Sequence, residues 1–295
     1  MAKEEKYKIL IGAGGTGGHI FPAIALAMKF KSDGHNVVIV GTGNALEKKI
    51  FAKYDIETIF FDSKLKDTIK SILRQTYKNW NLIIVDDCSD KKTKNILKKI
   101  TKNKKIKIFW LKKNKGAGFC RNYTLKKSRS PYIAFIDSDD LWKKEKLECQ
   151  LRFMEQNNYQ FTYTNFETFG EKNKLISPPL EYDYSKFIHN TSISTSTMML
   201  KREVANLAEF TNTKICEDYF YKCKILKNTN AYCLNDFLTK YRVRKNSLQS
   251  KNFRNIYWIW KINQEYNKLN FINNFFSLFF ISLNSLKKFG FKNII

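Results

Sequence analysis

The chain has 295 residues, with 53 Lys+Arg against 27 Asp+Glu and a formal net charge of +26. That length can bury a sizeable core in one large domain or two smaller ones, and the charge predicts polyanionic company: nucleic acid, anionic lipid or a phosphorylated substrate. The six cysteines match neither a zinc knuckle nor a disulfide framework, the three histidines (His19, His35, His189) are too scattered for an imidazole metal site, and no base-reading motif supports nucleic acid as the partner.

The opening MAKEEKYKILIGAGG has acids and then a short apolar stretch before glycine, so it does not read as a secretory signal and the cytoplasm is the expected compartment. Tyr7 to Ile11 predicts a strand, GAGGTGG a glycine loop, and AIALAMKF a helix with Pro22 near its start. NVVIV, ending at Gly41, is a second strand. A helix through Leu46, Ile50 and Phe51 follows, and ETIFF is a third strand closing at Asp62. The amphipathic run Ile69, Ile72, Leu73 then leads into LIIV and the acidic pair Asp86-Asp87. A helix near Ile96 to Ile100, a strand KIFWL, a helix after Gly118 and a strand YIAFI continue the alternation, which predicts a mostly parallel sheet with helices on both faces. Beyond Leu147 come a helix to Met154, a strand FTYTNFETF, a polar loop with Pro178-Pro179, the Ser/Thr-rich TSISTSTMML and an aromatic helix after Cys216-Glu217-Asp218.

The tail from Asn255 is aromatic and helical. Its longest apolar run, Phe275 to Leu283, is about half of the ~20 residues needed to cross a bilayer. Two readings stand: an interfacial helix with Lys287, Lys288 and Lys292 towards an anionic membrane surface, and core helices packed on the preceding domain.

The richest segment is YIAFIDSDDLWKKEKL, an apolar strand running into Asp137, Asp139 and Asp140. Carboxylates at a strand's carboxyl end sit where open α/β sheets place ligands, and their mutual repulsion is relieved by an oxygen-seeking divalent cation. The plainer reading is a helix N-cap by Asp139 or Asp140, for a helix through Trp142 and Leu147. One cap needs one carboxylate, and three are present.

GAGGTG also fits G-x-G-x-x-G at Gly12, Gly14 and Gly17, but the second strand ends at Gly41-Thr42 rather than in the acid a nicotinamide ribose requires. That leaves the stretch from Gly14 to Gly18 as either an anion nest at a helix N-terminus or a turn packed against the sheet.

From about Leu65 to Asn252 the chain resembles the family 2 glycosyltransferases, inverting enzymes of the GT-A fold that use nucleotide-sugar donors. The ordered blocks SILRQTYKNWNLIIVDDCSDKKT, NKGAGFCRNYTL, SPYIAFIDSDDLWKKEKL, CEDYFYKCKIL and YRVRKNSL carry the likeness. The resemblance implies that Asp87, supported by Asp86, reads the nucleobase, and that Arg121 lies near the base or diphosphate. It also implies that Asp137 and Asp139 hold Mg2+ or Mn2+ through the donor diphosphate, and that Asp218 is the catalytic base with Glu217 beside it. Structural readings stand beside these: Asp87 as a loop cap, Arg121 as a surface charge, Glu217-Asp218 as a helix start.

Residues 8 to about 62 resemble the N-terminal part of the GT-B transferase that adds N-acetylglucosamine to the lipid-linked peptidoglycan precursor, on GAGGTGGHIFPAIALA and GTGNALEKKI. That likeness implies an acceptor-side loop of Gly14, Gly15, Thr16, Gly17, Gly18 and His19. Its donor-binding half has no counterpart in this sequence, so that activity is not carried over.

Family 2 enzymes ordinarily begin with a strand and a turn that clasp the nucleotide. Here ETIFFDSKLK stands in their place, is expected to supply the missing strand, and offers Asp62 or Ser63 to the nucleoside.

The expected organisation is therefore a Rossmann-like βαβαβ segment (1–64), a GT-A α/β domain (65–250) and an amphipathic helical tail (251–295). The expected function is inverting, metal-dependent sugar transfer from a nucleotide donor, a UDP-sugar, to a surface-glycan or lipid-linked acceptor, at the inner face of the cell membrane. The alternatives are a catalytically impaired fusion serving as a membrane scaffold, and an NAD-binding oxidoreductase.

Overall fold

The computed structural model describes residues 6–12, 17–41, 45–60, 63–100, 103–213, 215–243 and 252–289. The chain divides into two compact units, Met1–Lys66 and Asp67–Ile295.

In the first unit, β1 (Lys8–Gly12), β2 (Asn36–Gly41) and β3 (Glu57–Phe60) form a parallel sheet in the order β1-β2-β3. The helix α1 (Gly17–Ser32) buries Ile20, Ala23, Ile24 and Ala27, the i, i+3, i+4, i+7 stripe of a helix lying on a core. Those side chains meet Ile11, Val37, Ile39 and, from α2 (Ala45–Phe51), Phe51. Each isoleucine, valine or phenylalanine among them contributes roughly 1.5–3 kcal/mol. Pro22 lies inside α1 rather than in its first turn, so its missing N–H falls within the helical ladder. The segment expected to replace the lost nucleotide-binding strand is β3, and it pairs in parallel with β2, with Ile39 opposite Thr58. Asp62 lies outside the described residues; Ser63 opens α3 (Ser63–Leu73).

In the second unit, β4 (Leu82–Asp86) and β5 (Ile106–Trp110) pair in parallel, with Val85 opposite Phe109. The helix α4 (Lys91–Ile100) joins them and buries Leu97. After α5 (Ala117–Lys127) comes a seven-stranded sheet whose main path is β10 (Glu181–Tyr182), β12 (Ala231–Val243), β8 (Phe161–Gly170), β11 (Met199–Lys201), β6 (Tyr132–Ala134). To this β7 (Leu141–Trp142) adds on β12 and β9 (Lys174–Ile176) on β8. The expectation of a mostly parallel sheet holds for β1-β2-β3 and β4-β5, but in this larger sheet only β8 and β12 run parallel. Parallel pairing needs a long crossover, supplied between β8 and β12, whereas β8 and β9 are joined by a tight turn at Gly170 (φ 98°).

The core beneath this sheet takes Phe161 and Tyr163 from β8, Phe187 from α7 (Tyr184–Phe187), Leu200, Val204 from α8 (Arg202–Ala205), and Tyr221 and Ile225 from α9 (Glu217–Leu226). The tail helices α10 (Asn252–Glu265) and α11 (Phe271–Phe289) dock on the same core through Ile259, Ile262, Leu278 and Ile281. The mixed α/β architecture and the helical tail are as the sequence predicts.

Candidate active site

Strand β6 ends at Ala134, two residues short of the predicted YIAFI, and the chain turns through Asp137, Asp139 and Asp140 into β7. Asp140 is buried and is the keystone of that turn. Its Oδ1 accepts from the Arg242 amide (2.8 Å) and its Oδ2 from Ser196 Oγ (2.6 Å). Its own amide donates to the Asp137 carbonyl (3.1 Å), and its carbonyl accepts from Thr68 Oγ1 on α3 (2.7 Å). Burial, then the negative field of Asp137, pushes its carboxyl up to about 8 against those two hydrogen bonds.

Asp140 is thus a tertiary strut and not a helix cap. Trp142 lies in β7, and α6 (Lys146–Gln156) starts after Glu145 with no side-chain cap. Arg242 Nε also donates to the Asp139 carbonyl (2.9 Å), and Ser196 Oγ accepts from the Asp137 amide (3.0 Å). The turn's backbone is therefore fixed from three sides, by α3, by β12 and by the 3-10 turn Thr195–Thr197.

Helix α5 supplies the next layer. Gly116, at φ 88°, opens it, and both oxygens of Asp87 accept from that junction, Oδ1 from the Lys115 amide (2.6 Å) and Oδ2 from the Gly116 amide (2.8 Å). Asp87 therefore pins the loop before α5. Asp86, buried at the end of β4, accepts from the Ser89 amide (3.2 Å). One turn into α5, burial followed by the fields of Asp87 and then Asp86 pushes the Cys120 thiol up to about 12.

Arg121, next in sequence, has other partners. Its Nη2 donates to Asp137 Oδ1 (2.8 Å) and its Nη1 to Glu217 Oε1 (2.6 Å). Its guanidinium lies 5.4 Å from the centroid of Phe210, which Asn122 holds by both its amide and its carbonyl. The approach of α5 to α9 depends on Gly118. A Cβ there would stand 2.3 Å from the Thr211 carbonyl oxygen and 3.3 Å from Glu217 Cβ.

Glu217 and Asp218 are the first two residues of α9, where the helix dipole favours negative charge, and Cys216 before them is left-handed at φ 62°. Both hydrogen bonds to Asp218 reach Oδ2: from Lys222 Nζ (2.7 Å) and from Thr195 Oγ1 (3.0 Å). Lys222 also donates to the Ile193 carbonyl (2.8 Å). Burial alone would raise Asp218, but the Lys222 ammonium and then Arg121 hold it well below the ordinary carboxylate range. Glu217 goes the other way, raised by burial and by Asp218 despite its Arg121 partner. Two adjacent carboxylates driven apart in proton affinity is an arrangement that separates roles in acid–base chemistry.

The structure therefore joins Asp137, Arg121 and Glu217 directly, with Asp218 alongside. Burial and then the fields of Asp140, Asp137, Asp139 and Asp218 raise the hydroxyl of Tyr241 on β12, so these carboxylates lie within electrostatic reach of one ring. Asp86 and Asp87 sit on the Cys120 side of α5. Gly14, Gly15 and Thr16 lie outside the described residues. Gly17, Gly18 and His19 form the start of α1, and the His19 side chain also lies outside the described part.

Sequence reasoning missed Asp140 as a strut, Thr195, Ser196, Lys222 and Arg242. The Ser/Thr-rich TSISTSTMML was the visible signal for Thr195 and Ser196, since so many hydroxyls in a buried segment need polar partners.

Residues 62–221 match the family described as Glycosyl transferase family 2. The putative teichuronic acid biosynthesis glycosyltransferase TuaG of Bacillus subtilis (strain 168) is 33% identical over 230 residues, covering 76% of this chain and 91% of that protein. The UDP-Glc:alpha-D-GlcNAc-diphosphoundecaprenol beta-1,3-glucosyltransferase WfgD of Escherichia coli is 34% identical over 200 residues, covering 66% of this chain and 78% of that protein. Among solved structures, S. aureus TarS 1-349 in complex with UDP-GlcNAc shares the fold with a TM-score of 0.59 at 16% identity, covering 96% of this chain and 73% of that one. The chain spans 45% of the longer TarS chain. The family match starts at residue 62, and the likeness of the preceding segment to the peptidoglycan transferase rests on its sequence motifs alone. With its family segment, two long relatives and a GT-A-like fold in agreement, the chain belongs to glycosyl transferase family 2 and is a glycosyltransferase.

Proposed function

We propose that this enzyme transfers a sugar from a nucleotide donor, a UDP-sugar, to a lipid-linked or cell-surface glycan acceptor, with inversion and with a divalent cation, Mg2+ or Mn2+. WfgD is named for UDP-Glc and a diphosphoundecaprenol-linked acceptor, TuaG for teichuronic acid biosynthesis, and TarS was crystallised with UDP-GlcNAc. The observation that carries the reading is Arg121 spanning from Asp137, after β6, to Glu217 at the start of α9, with Asp218 beside it.

Among the described residues no group of three or more His, Cys, Asp or Glu side chains is arranged to hold a metal by itself. Asp137 and Asp139 fit a cation of another kind, since Mg2+ is commonly held by one or two carboxylates together with substrate phosphates. When bound there, the cation would offset the negative charge of the departing nucleoside diphosphate.

The chain's own groups do the rest. Arg121, always protonated and backed by Phe210, offers to the diphosphate oxyanions the N–H groups that Asp137 and Glu217 leave over. Asp218 stays ionised, and with both hydrogen bonds on Oδ2 its Oδ1 can accept the acceptor hydroxyl's proton as that oxygen attacks the sugar from the face opposite the nucleotide. Glu217 holds Arg121 in place. Asp87, with Asp86 behind it, presents to the base the lone pairs that the Lys115 and Gly116 amides leave over.

Turnover of UDP-sugars on lipid-linked acceptors tests this. Asp218→Asn should lower kcat by about 10²–10⁴-fold while UDP binding with Mn2+ stays within a few-fold. Asp139→Asn should instead weaken the Mn2+-dependent part of UDP binding. Wild-type protein that binds no nucleoside diphosphate in the presence of Mn2+ would overturn the proposal.

A further inference from the structure

The tail hairpin has its polarity turned inside out. The side chains α11 directs into the protein include Asn274 and Ser277, both buried, while Phe271, Ile272, Phe275, Phe276, Phe279 and Leu283 form a continuous exposed row along its length. Phe271 is 72% and Phe275 56% exposed.

The buried polar face is fully used. Asn263 Nδ2 donates to Asn274 Oδ1 (3.1 Å) and to Ser277 Oγ (3.0 Å), and Ser277 Oγ donates to the Ile188 carbonyl (2.6 Å). Tyr219 Oη, on the helix that carries Asp218, donates to Asn263 Oδ1 (2.7 Å). Asn284 Nδ2 donates to the His189 carbonyl (3.1 Å) further along α11. Rolling the aromatic row inward would strand these groups without partners, so the network holds the row facing out.

We propose that this outward face of α11 is a docking surface for an anionic lipid bilayer, lying in the interface with its aromatic row in the acyl boundary. No helix among the described residues is long and apolar enough to cross a membrane, and a 19-residue helix with one aromatic flank is built to lie along one. Aromatic rings favour the headgroup level.

Charge selects the occupant. Residues 252–289 carry Arg254, Lys261, Lys268, Lys287 and Lys288 against the single acid Glu265, on a chain of net charge +26. Such a surface repels a second copy of itself and attracts anionic headgroups. The inference extends the reading of a lipid-linked acceptor, because a docked hairpin brings the Asp218 helix to the surface where such an acceptor lies. It is read out separately, by lipid binding instead of turnover.

The test is sedimentation of the full chain with vesicles of phosphatidylcholine alone and of phosphatidylcholine with phosphatidylglycerol in equal parts. Wild type should sediment with the anionic vesicles and weaken as salt rises. The triple variant F275S/F276S/F279S should lose more than about tenfold in partitioning, with melting midpoint and Mn2+-dependent UDP affinity unchanged. A second measurement needs no substitution: acyl-brominated lipid in the same vesicles should quench tryptophan emission of the wild-type chain. Wild type left in the supernatant, equal binding by the triple variant, or absence of quenching overturns the proposal. So does a wild-type dimer that the triple variant converts to monomer with no vesicle binding by either. Loss of turnover chemistry with vesicle binding intact would count against the proposed reaction and leave the docking surface standing.

Discussion

Two ion pairs of the first unit lie on the surface, whereas the second unit, beside surface pairs such as Lys126–Glu209, also holds largely buried ones. In the first, Lys29 pairs with Asp33 and Lys31 with Asp55, both at 2.8 Å and both on the surface, where Asp55 is wholly exposed. In the second, Arg121 reaches Asp137 at 2.8 Å and Glu217 at 2.6 Å, and Lys222 reaches Asp218 at 2.7 Å, with Arg121 only 17% and Lys222 only 4% exposed. Similar distances conceal unequal energetics. A solvated pair contributes little, because water screens it and two long side chains must be ordered. A buried pair has given up its hydration, and removing one partner leaves an uncompensated charge. The surface pairs decorate a scaffold, while the buried ones hold the groups proposed to perform the reaction.

That contrast can be broken most sharply at Arg121. Arg121→Met leaves Glu217 largely buried without its cation while Asp137, 36% exposed, can rehydrate, and should destabilise the second unit by up to about 3 kcal/mol, read as a lower denaturant midpoint. Weaker UDP binding should accompany it. A variant as stable as wild type would show that the network is solvated and the contrast false.

Lys146 gives a smaller effect with the opposite sign. It is fully buried, its ammonium has no hydrogen-bond partner, it lies 4.0 Å from the centroid of Trp142, and burial pushes it down from 10.5 to about 7. The folded state thus binds fewer protons here than the unfolded chain, so this residue's contribution to stability is largest above pH 10.5 and declines as pH falls to about 7. Lys146→Met should therefore raise the melting midpoint at neutral pH and flatten its slope over that window. The smallest effect is expected in the first unit, where Lys31→Ala should leave the melting curve where it was. A clear drop there would mean that exposed pairs carry more than their solvation allows.

Much of the alternation up to Ala134 was legible in the sequence because hydrophobic periodicity is local: NVVIV, LIIV and the Ile69, Ile72, Leu73 run each announce their own element. The family blocks likewise pointed to Arg121, Asp137, Glu217 and Asp218. What stayed hidden depends on partners distant in the chain. Asp140 reads as one more acid until Ser196, 56 residues on, and Arg242, 102 residues on, supply its hydrogen bonds. β12 was missed for a related reason. It buries its faces unevenly, with register shifts around Phe237, so no clean alternation marks it. Asp87 shows what a motif leaves out, since its sequence block suggests a nucleobase contact and says nothing of the Lys115 and Gly116 amides that its two oxygens also accept from.

Gly118 carries a consequence for how this fold tolerates change. With no room for a methyl group between it and Thr211, the two helices that present Arg121 and Asp218 are seated as one wedge. Drift on either helix is therefore hostage to the other: alanine at 118 demands a rerouted Thr211 backbone, and a bulkier neighbour on α9 demands the same concession in reverse. Engineering a new donor pocket should begin by leaving this seat untouched and varying the loops that do not pass through it.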